Sequence, residues 1–330
     1  MGSEDSNNKG HRDYVHSMLR RCRAFDYRKP WIYMVTLMKS DDVDALSLIC
    51  GANEDSARVE LLPNGCLFNE CLEEFLRRSP AIRRITSVVM PDHVHVLFRV
   101  IETLPRAFGS YVQYLKSICT SEYRKRMAAV SAEAPSFFKM KFNDVICFEA
   151  GQRQAMYNYI QDNPRRRWVI MHNHDFFSRM NRLMFEGKTI AAYGNQFLLD
   201  CPDMATVRWS HHFTLSEFER LKDYWRTVAA RGGVLVSPFI NVKEREVLRE
   251  ATALGGRIIY IKSNGFADRF KPGGKLFELC SEGRLLIVAP AEWRPEWDLE
   301  KARNSDKRRI CMNMNVMAEK LADYLLARPR

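Results

Sequence analysis

Residues 88–100, VVMPDHVHVLFRV, constrain this chain more than any other stretch. Ile85 to Met90 is an apolar, β-branched run, Pro91-Asp92 is turn chemistry, and His93 to Val100 reads as a returning strand, so the segment predicts a β-hairpin. Side chains alternate along a strand. His93, His95 and Leu97 therefore share one face, and Val94, Val96 and Phe98 share the other. Two imidazoles held side by side on one rigid element suit a divalent metal. From the H-x-H spacing alone, one exposed and one core-packed histidine is the more economical reading. His172 and His174 repeat the spacing in a less regular context with no matching partner motif, and read as surface or packing residues.

A second stretch, YNYIQDNP at residues 157–164, raises the weight of the metal reading. On a helix Tyr159 and Asn163 lie one turn apart on a common face. Pro164 disfavours helical geometry at Asn163 and is expected to close the element there. Beside two imidazoles, a phenol and an amide oxygen so placed would supply a nucleophile and a third metal ligand. Tyr157 is the rival nucleophile, but at about 100° per residue it points roughly 200° away from Tyr159.

Together, M-P-D-H-V-H-V-L-F and Y-I-x-x-N-P resemble the HUH single-strand nucleases, specifically the single-tyrosine transposases of the REP-associated group. The agreement runs in order through residues 28 to 170 and includes an aromatic opening strand and a basic helix between the motifs. The resemblance implies an α+β domain, an antiparallel sheet flanked by helices, acting on single-stranded DNA near a hairpin, often as a homodimer. A free tyrosine has a pKa near 10 and is a poor nucleophile at neutral pH. Mg²⁺ or Mn²⁺ on His93, His95 and Asn163 would polarise the scissile phosphate. Tyr159 would then attack, leaving a 5′-phosphotyrosine link and a free 3′-hydroxyl, with no need for ATP.

The formal charge is +11. The basic surplus is concentrated between residues 77 and 182, around both motifs, whereas the first 76 residues carry more acid than base. That is the distribution expected if a phosphate backbone passes the motifs, although a solvated basic surface gives the same count. Within the helix from Leu104-Pro105 to about Met127, Phe108, Val112, Leu115 and Ile118 or Cys119 form an apolar stripe. Lys116, Arg124, Lys125 and Arg126, interleaved with Tyr111, Tyr114 and Tyr123, are candidates for DNA contact, since aromatics stack bases while cations track phosphates. Arg165, Arg166 and Arg167 are equally readable as phosphate holders and as a solvated charge run.

The 330 residues divide in the sequence into an N-terminal arm (1–27, with Arg20, Arg21 and Arg23), a nuclease domain (28–182), a strand-rich connector (183–212) and a further domain (213–330). Nine scattered cysteines without C-x-x-C, no signal peptide and no long apolar run predict a cytoplasmic, nucleoid-associated protein that does not enter a membrane. In the last portion Thr214-x-x-Glu217 is a capping box, and apolar strands alternate with helices as in a parallel, Rossmann-like sheet. S-P-F-I, a Gly-Gly before a strand and P-G-G-K resemble the SLOG or DprA-like domains, which are linked to nucleotide or single-strand DNA binding. Ligands of such sheets sit at the carboxyl ends of strands, here Ser237, Asn264 and Gly265, and Gly273, Gly274 and Lys275 could present amides to an anion. Two other functions fit the sequence: a hairpin-DNA binder without cleavage, and a nuclease regulated by nucleotide sensing in the C-terminal domain.

Overall fold

A computed structural model describes residues 25–128, 134–149, 151–210, 212–267, 270–299 and 302–327. The arginines expected in an N-terminal arm lie outside them. The chain forms two compact units, residues 1–171 and 172–330.

In the first unit the elements run β1 (Ile32–Met38), β2 (Ser47–Cys50), β3 (Arg58–Leu61), α1 (Pro63–Arg78), β4 (Ile82–Val89), β5 (His93–Val100), α2 (Phe108–Met127), β6 (Asn143–Ile146) and α3 (Gln152–His172). A wholly antiparallel sheet has the order β4-β5-β1-β6, and β2 and β3 pair separately as a short hairpin. The expected His hairpin is present as β4–β5, closed by the Met90 amide donating to the His93 carbonyl at 2.8 Å.

One face of the sheet presents Tyr33, Val35, Leu37, Val94, Val96 and Phe98 to α1 and α2, whose Phe68, Leu72, Phe75, Phe108, Val112 and Leu115 complete the main core. Tyr33 stacks on Phe108 with ring centroids 4.2 Å apart. Gly65 lets α1 come close: a Cβ there would meet the Leu46 carbonyl oxygen at 2.1 Å. The opposite face is covered by α3, through a small cluster in which Met156 and Ile160 pack on Leu97. Burying Ile160 is worth about 1.5–3 kcal/mol, and it fixes the rotation of the helix on the sheet.

Contrary to the expectation at Pro164, α3 continues through the proline to His172. The ring removes one intrahelical donor and crowds the carbonyl four residues back. Downstream contacts hold the helix on course: Arg165 pairs with Asp162 and Glu54, and the Trp168 indole donates to the Gly51 carbonyl at 3.0 Å.

In the second unit β7 (Arg179–Phe185), β8 (Lys188–Gly194), β9 (Met204–Thr206), α4 (Leu215–Ala230), β10 (Val234–Ser237), α5 (Val242–Ala253), β11 (Arg257–Ile261), α6 (Lys275–Ser281), β12 (Leu285–Pro290) and α7 (Asn304–Leu326) follow in order. They build one mixed sheet, β7-β8-β12-β11-β10-β9, with β9 to β12 parallel and β8 antiparallel to β12. The strands expected in a connector thus belong to this sheet. Val234, Val236, Ile259, Ile261, Leu286 and Val288 face α7, while α4 lies against β9 and β10. The capping box forms as read, with Thr214 Oγ1 accepting from the Glu217 amide and the Glu217 carboxylate from the Thr214 amide. No helix among the described residues is long and apolar enough to cross a membrane.

Candidate active site

The register across the first sheet places Thr36 of β1 and Val88 of β4 on either side of His95, with Asn143 of β6 beyond Thr36. His93, two residues earlier on β5, stands on the same face opposite Met38. This face belongs to α3, and on it His93 is half-buried and His95 buried. The two Nε2 atoms converge to 3.1 Å. Two lone pairs cannot face each other at that separation without a proton or a cation between them. Two nitrogens bound to one ion at about 2.1 Å and about 90° would stand about 3.0 Å apart, so the pair fits a divalent centre.

The far nitrogen of each ring is held. His93 Nδ1 lies 2.7 Å from Asp92 Oδ1, and His95 Nδ1 lies 2.8 Å from Thr36 Oγ1. Where Nδ1 carries the proton and donates outward, Nε2 is left as the basic atom, the arrangement usual for a metal-ligating histidine. The Asp92 carboxyl is pulled down to about 2, chiefly by its hydrogen bond to His93 and secondarily by nearby charge, that of Arg167 included. Burial, reinforced by the charge of His93, pushes His95 down to about 3, so its ring is neutral at physiological pH.

Tyr159 comes to the same place from α3. Its ring meets that of His95 edge-on, with centroids 5.4 Å apart, and it remains 42% exposed to solvent. Tyr157 is equally exposed but leaves the helix on another side, as the angular argument requires. Asn163 is buried and shares the Tyr159 face, with Nδ2 donating to the Tyr159 carbonyl at 2.7 Å. With that nitrogen committed to the helix, Oδ1 is the atom left for a cation. Among the described residues no three His, Cys, Asp or Glu side chains gather as a metal site.

The expected DNA-contact residues separate. On α3, Arg165 is committed to Asp162 and Glu54, Arg166 is half-buried, and Arg167 is exposed and close enough to Asp92 to influence its charge. On α2, Lys116 corrects the expectation: it is buried, with Nζ on the Met140 carbonyl at 2.6 Å, and desolvation lowers its pKa. Arg124 donates to the Ala134 carbonyl, Lys125 pairs with Glu122 and Arg126 with Glu70. All four residues belong to the helix behind the sheet, on the face away from the histidines. Of the interleaved tyrosines, Tyr123 is core.

In the second unit Ser237 Oγ accepts from the Phe239 amide, and Asn264 is braced to Arg294 through both ends of its amide, each at 2.7 Å. Gly265 packs so closely on Glu292 that a Cβ would meet its carbonyl oxygen at 2.5 Å. The Leu276, Phe277 and Glu278 amides, beyond Lys275, donate to the Gly273 and Gly274 carbonyls. The Ser237 hydroxyl oxygen and the Asn264 amide are thus engaged within their own loops, and the Gly273 and Gly274 carbonyls at the start of α6. Asp92 and Thr36 do not stand out in the sequence as site residues. Asp92 lies within the motif but reads there as turn chemistry, and Thr36 could be found only through the β1–β5 register.

No protein-family profile matches the chain, and no curated protein does. Among solved structures, a REP-associated tyrosine transposase bound to a REP hairpin is similar over 45% of this chain and 72% of its own, at 16% identity and a TM-score of 0.33. DNA processing protein A from Helicobacter pylori, described for its single-stranded DNA binding, is similar over 45% and 68%, at 15% identity and 0.30. DNA processing protein A from Streptococcus pneumoniae is similar over 52% and 69%, at 14% identity and 0.28.

Proposed function

We propose that the first unit is an HUH-type nuclease that cuts and rejoins single-stranded DNA through a 5′-phosphotyrosine intermediate, in the manner of a transposase acting beside a hairpin. The observation that carries this reading is the meeting of the Tyr159 ring with an imidazole pair whose Nε2 atoms converge. His93, His95 and the Asn163 amide oxygen would hold Mg²⁺ or Mn²⁺, which when bound supplies Lewis-acid polarisation of a phosphate. Asp92 and Thr36 keep the two rings aimed. Tyr159 Oη forms a bond to phosphorus as the bond to the 3′ oxygen breaks, its proton leaves to solvent, and the 3′ oxygen takes one up. Rejoining is the reverse, so the energy of the phosphodiester is retained in the tyrosyl link. Arg167, at the rim near Asp92, is placed to steady a neighbouring phosphate. We read the second unit as Rossmann-like, DprA-like in type, with a binding role in a cytoplasmic, dimeric protein.

The test is a denaturing gel of labelled hairpin oligonucleotides, run with Mg²⁺ or Mn²⁺ added or chelated. A protein–DNA band should form only with metal, persist in Tyr157→Phe and vanish in Tyr159→Phe. If Tyr159→Phe still forms it, the nucleophile is another residue. If wild type forms none on any hairpin, the hairpin-binding alternative replaces this reading.

A further inference from the structure

The α3-bearing face of the first sheet has a second charged feature, at the end away from the histidines. Arg99 lies four residues beyond His95 on β5 and so on the same face, opposite Arg83 of β4 on one side and Ile32 of β1 on the other. Arg153, in the first turn of α3, completes the group. Arg99 and Arg153 line an open cleft of about 390 Å³ together with Pro30, Trp31, Ile32 and Cys147. All three arginines are exposed, and none of them pairs with a carboxylate among the described residues. Arg84, next to Arg83 but facing α1, is by contrast paired with Glu73.

Aromatic surface lies beside this charge. The Trp31 indole is pinned by its Nε1 donating to the Cys147 carbonyl at 2.9 Å, yet 36% of the residue stays exposed. Phe148, 56% exposed, sits against it with ring centroids 6.3 Å apart. Like charges grouped without counter-ions repel one another, and an incoming anion relieves that repulsion. Cations beside fixed, exposed rings are the combination that binds single-stranded nucleic acid, with phosphates on the cations and bases on the ring faces. From His95 to Arg99 is four residue steps along the strand, about 13 Å at the usual rise, a span an extended strand covers in a few nucleotides.

We propose that this cleft is a second contact for the substrate strand, a nucleotide subsite with phosphate on Arg99 and Arg153 and a base against Trp31 and Phe148, a few nucleotides from the bond cut at Tyr159. The identity of the strand rests on the nuclease reading; the cleft and its charge do not. Binding is measured by fluorescence anisotropy over a salt series, on the full chain carrying Tyr159→Phe so that nothing is cut. The probes are a bare hairpin and the same hairpin with single-stranded tails on the 5′ or 3′ side. Arg99→Gln with Arg153→Gln should weaken binding of one tailed probe about tenfold and flatten its salt slope by about 0.7 for each phosphate no longer neutralised, leaving the bare hairpin unaffected. Phe148→Ala should weaken the same probe without changing the slope.

Equal affinity and slope for the double variant on both tailed probes, or no binding of them by the parent, overturns the subsite. A metal-dependent covalent band from the wild type alongside that result leaves the nuclease reading standing. Conversely, loss of tail binding in the double variant with no covalent band from the wild type keeps the subsite and removes the nuclease.

Discussion

The two faces of the first unit's sheet are covered very differently. One meets α1 and α2 through fully buried Tyr33, Phe68, Phe75, Phe98 and Phe108, and at its edge Arg77, Arg84 and Arg126 pair with Glu74, Glu73 and Glu70 of α1. The other meets a single helix through Leu97, Met156 and Ile160, with His93, His95 and Tyr159 at one end and Arg83, Arg99 and Arg153 at the other. A sheet needs one closed face to be stable. Once that requirement is met by aromatic bulk behind, the front can leave Tyr159 at one end and Arg83, Arg99 and Arg153 at the other exposed to solvent.

The sharpest way to break that contrast is to hollow each face in turn. Phe98→Ala should cost about 3–5 kcal/mol and loosen the whole sheet. Ile160→Ala should fall towards the lower end of about 2–5 kcal/mol, removing covalent attachment while leaving β1 and β5 protected from hydrogen exchange. Equal loss of strand protection in the two variants would mean that the faces are one cooperative layer and the division of labour is wrong.

A somewhat smaller effect is expected from acid. Unfolded His95 would take up its proton near 6.5, whereas burial holds it neutral down to about 3 in the folded protein. Between those values the unfolded chain binds more protons, so stability falls as the pH drops through that window, by up to about a few kcal/mol. Urea midpoints of metal-free protein at pH 7.5 and 4.5 should therefore diverge more for wild type than for His95→Asn. Identical shifts would show that His95 is not what makes this face acid-sensitive.

Removing the outer support of the rings should cost less again. Thr36→Val and Asp92→Asn are each expected to weaken Mn²⁺ binding by about 10–100-fold, read by calorimetry, with the fold retained. Affinities equal to wild type would mean the rings are aimed by packing alone. The smallest effects concern charge: Arg167→Glu should flatten the salt dependence of DNA binding by about 0.7 or somewhat more. Alanines at Arg124, Lys125 and Arg126 together should leave that slope unchanged. A slope altered by the α2 triple variant would put DNA on the wrong face.

Local pattern carries much of this organisation. The strict alternation of residues 93–98 places both histidines on one face without reference to any partner strand, and Thr214 and Glu217 mark a helix start that forms as read. Lys116 is buried rather than on an outer face, and its spacing agrees: it lies four residues after Val112 and three before Cys119, squarely in the buried stripe. Other features depend on tertiary partners. Trp168 and Arg165 draw α3 past Pro164 by contacts with residues over a hundred positions away, and Thr36 reaches His95 only through strand register. The cleft at Arg99 and Arg153 joins residues from a loop, a strand end and a helix start, and no periodicity links those.

Pro164 has a mechanical consequence. The carbonyl of Ile160 faces a ring instead of an N–H, so the rod of α3 lacks one rung between the turn bearing Tyr159 and the turn bearing Arg167. The half with Arg167 is moored by Trp168 to Gly51, and the half with Tyr159 is moored by Met156 and Ile160 to the sheet. Two anchored levers meeting at a weakened joint can change angle there for less energy than an unbroken helix would require. On the proposed nuclease reading, Tyr159, which would first reach a phosphate and later carry a tethered strand, is therefore mounted beside the softest point of its own support.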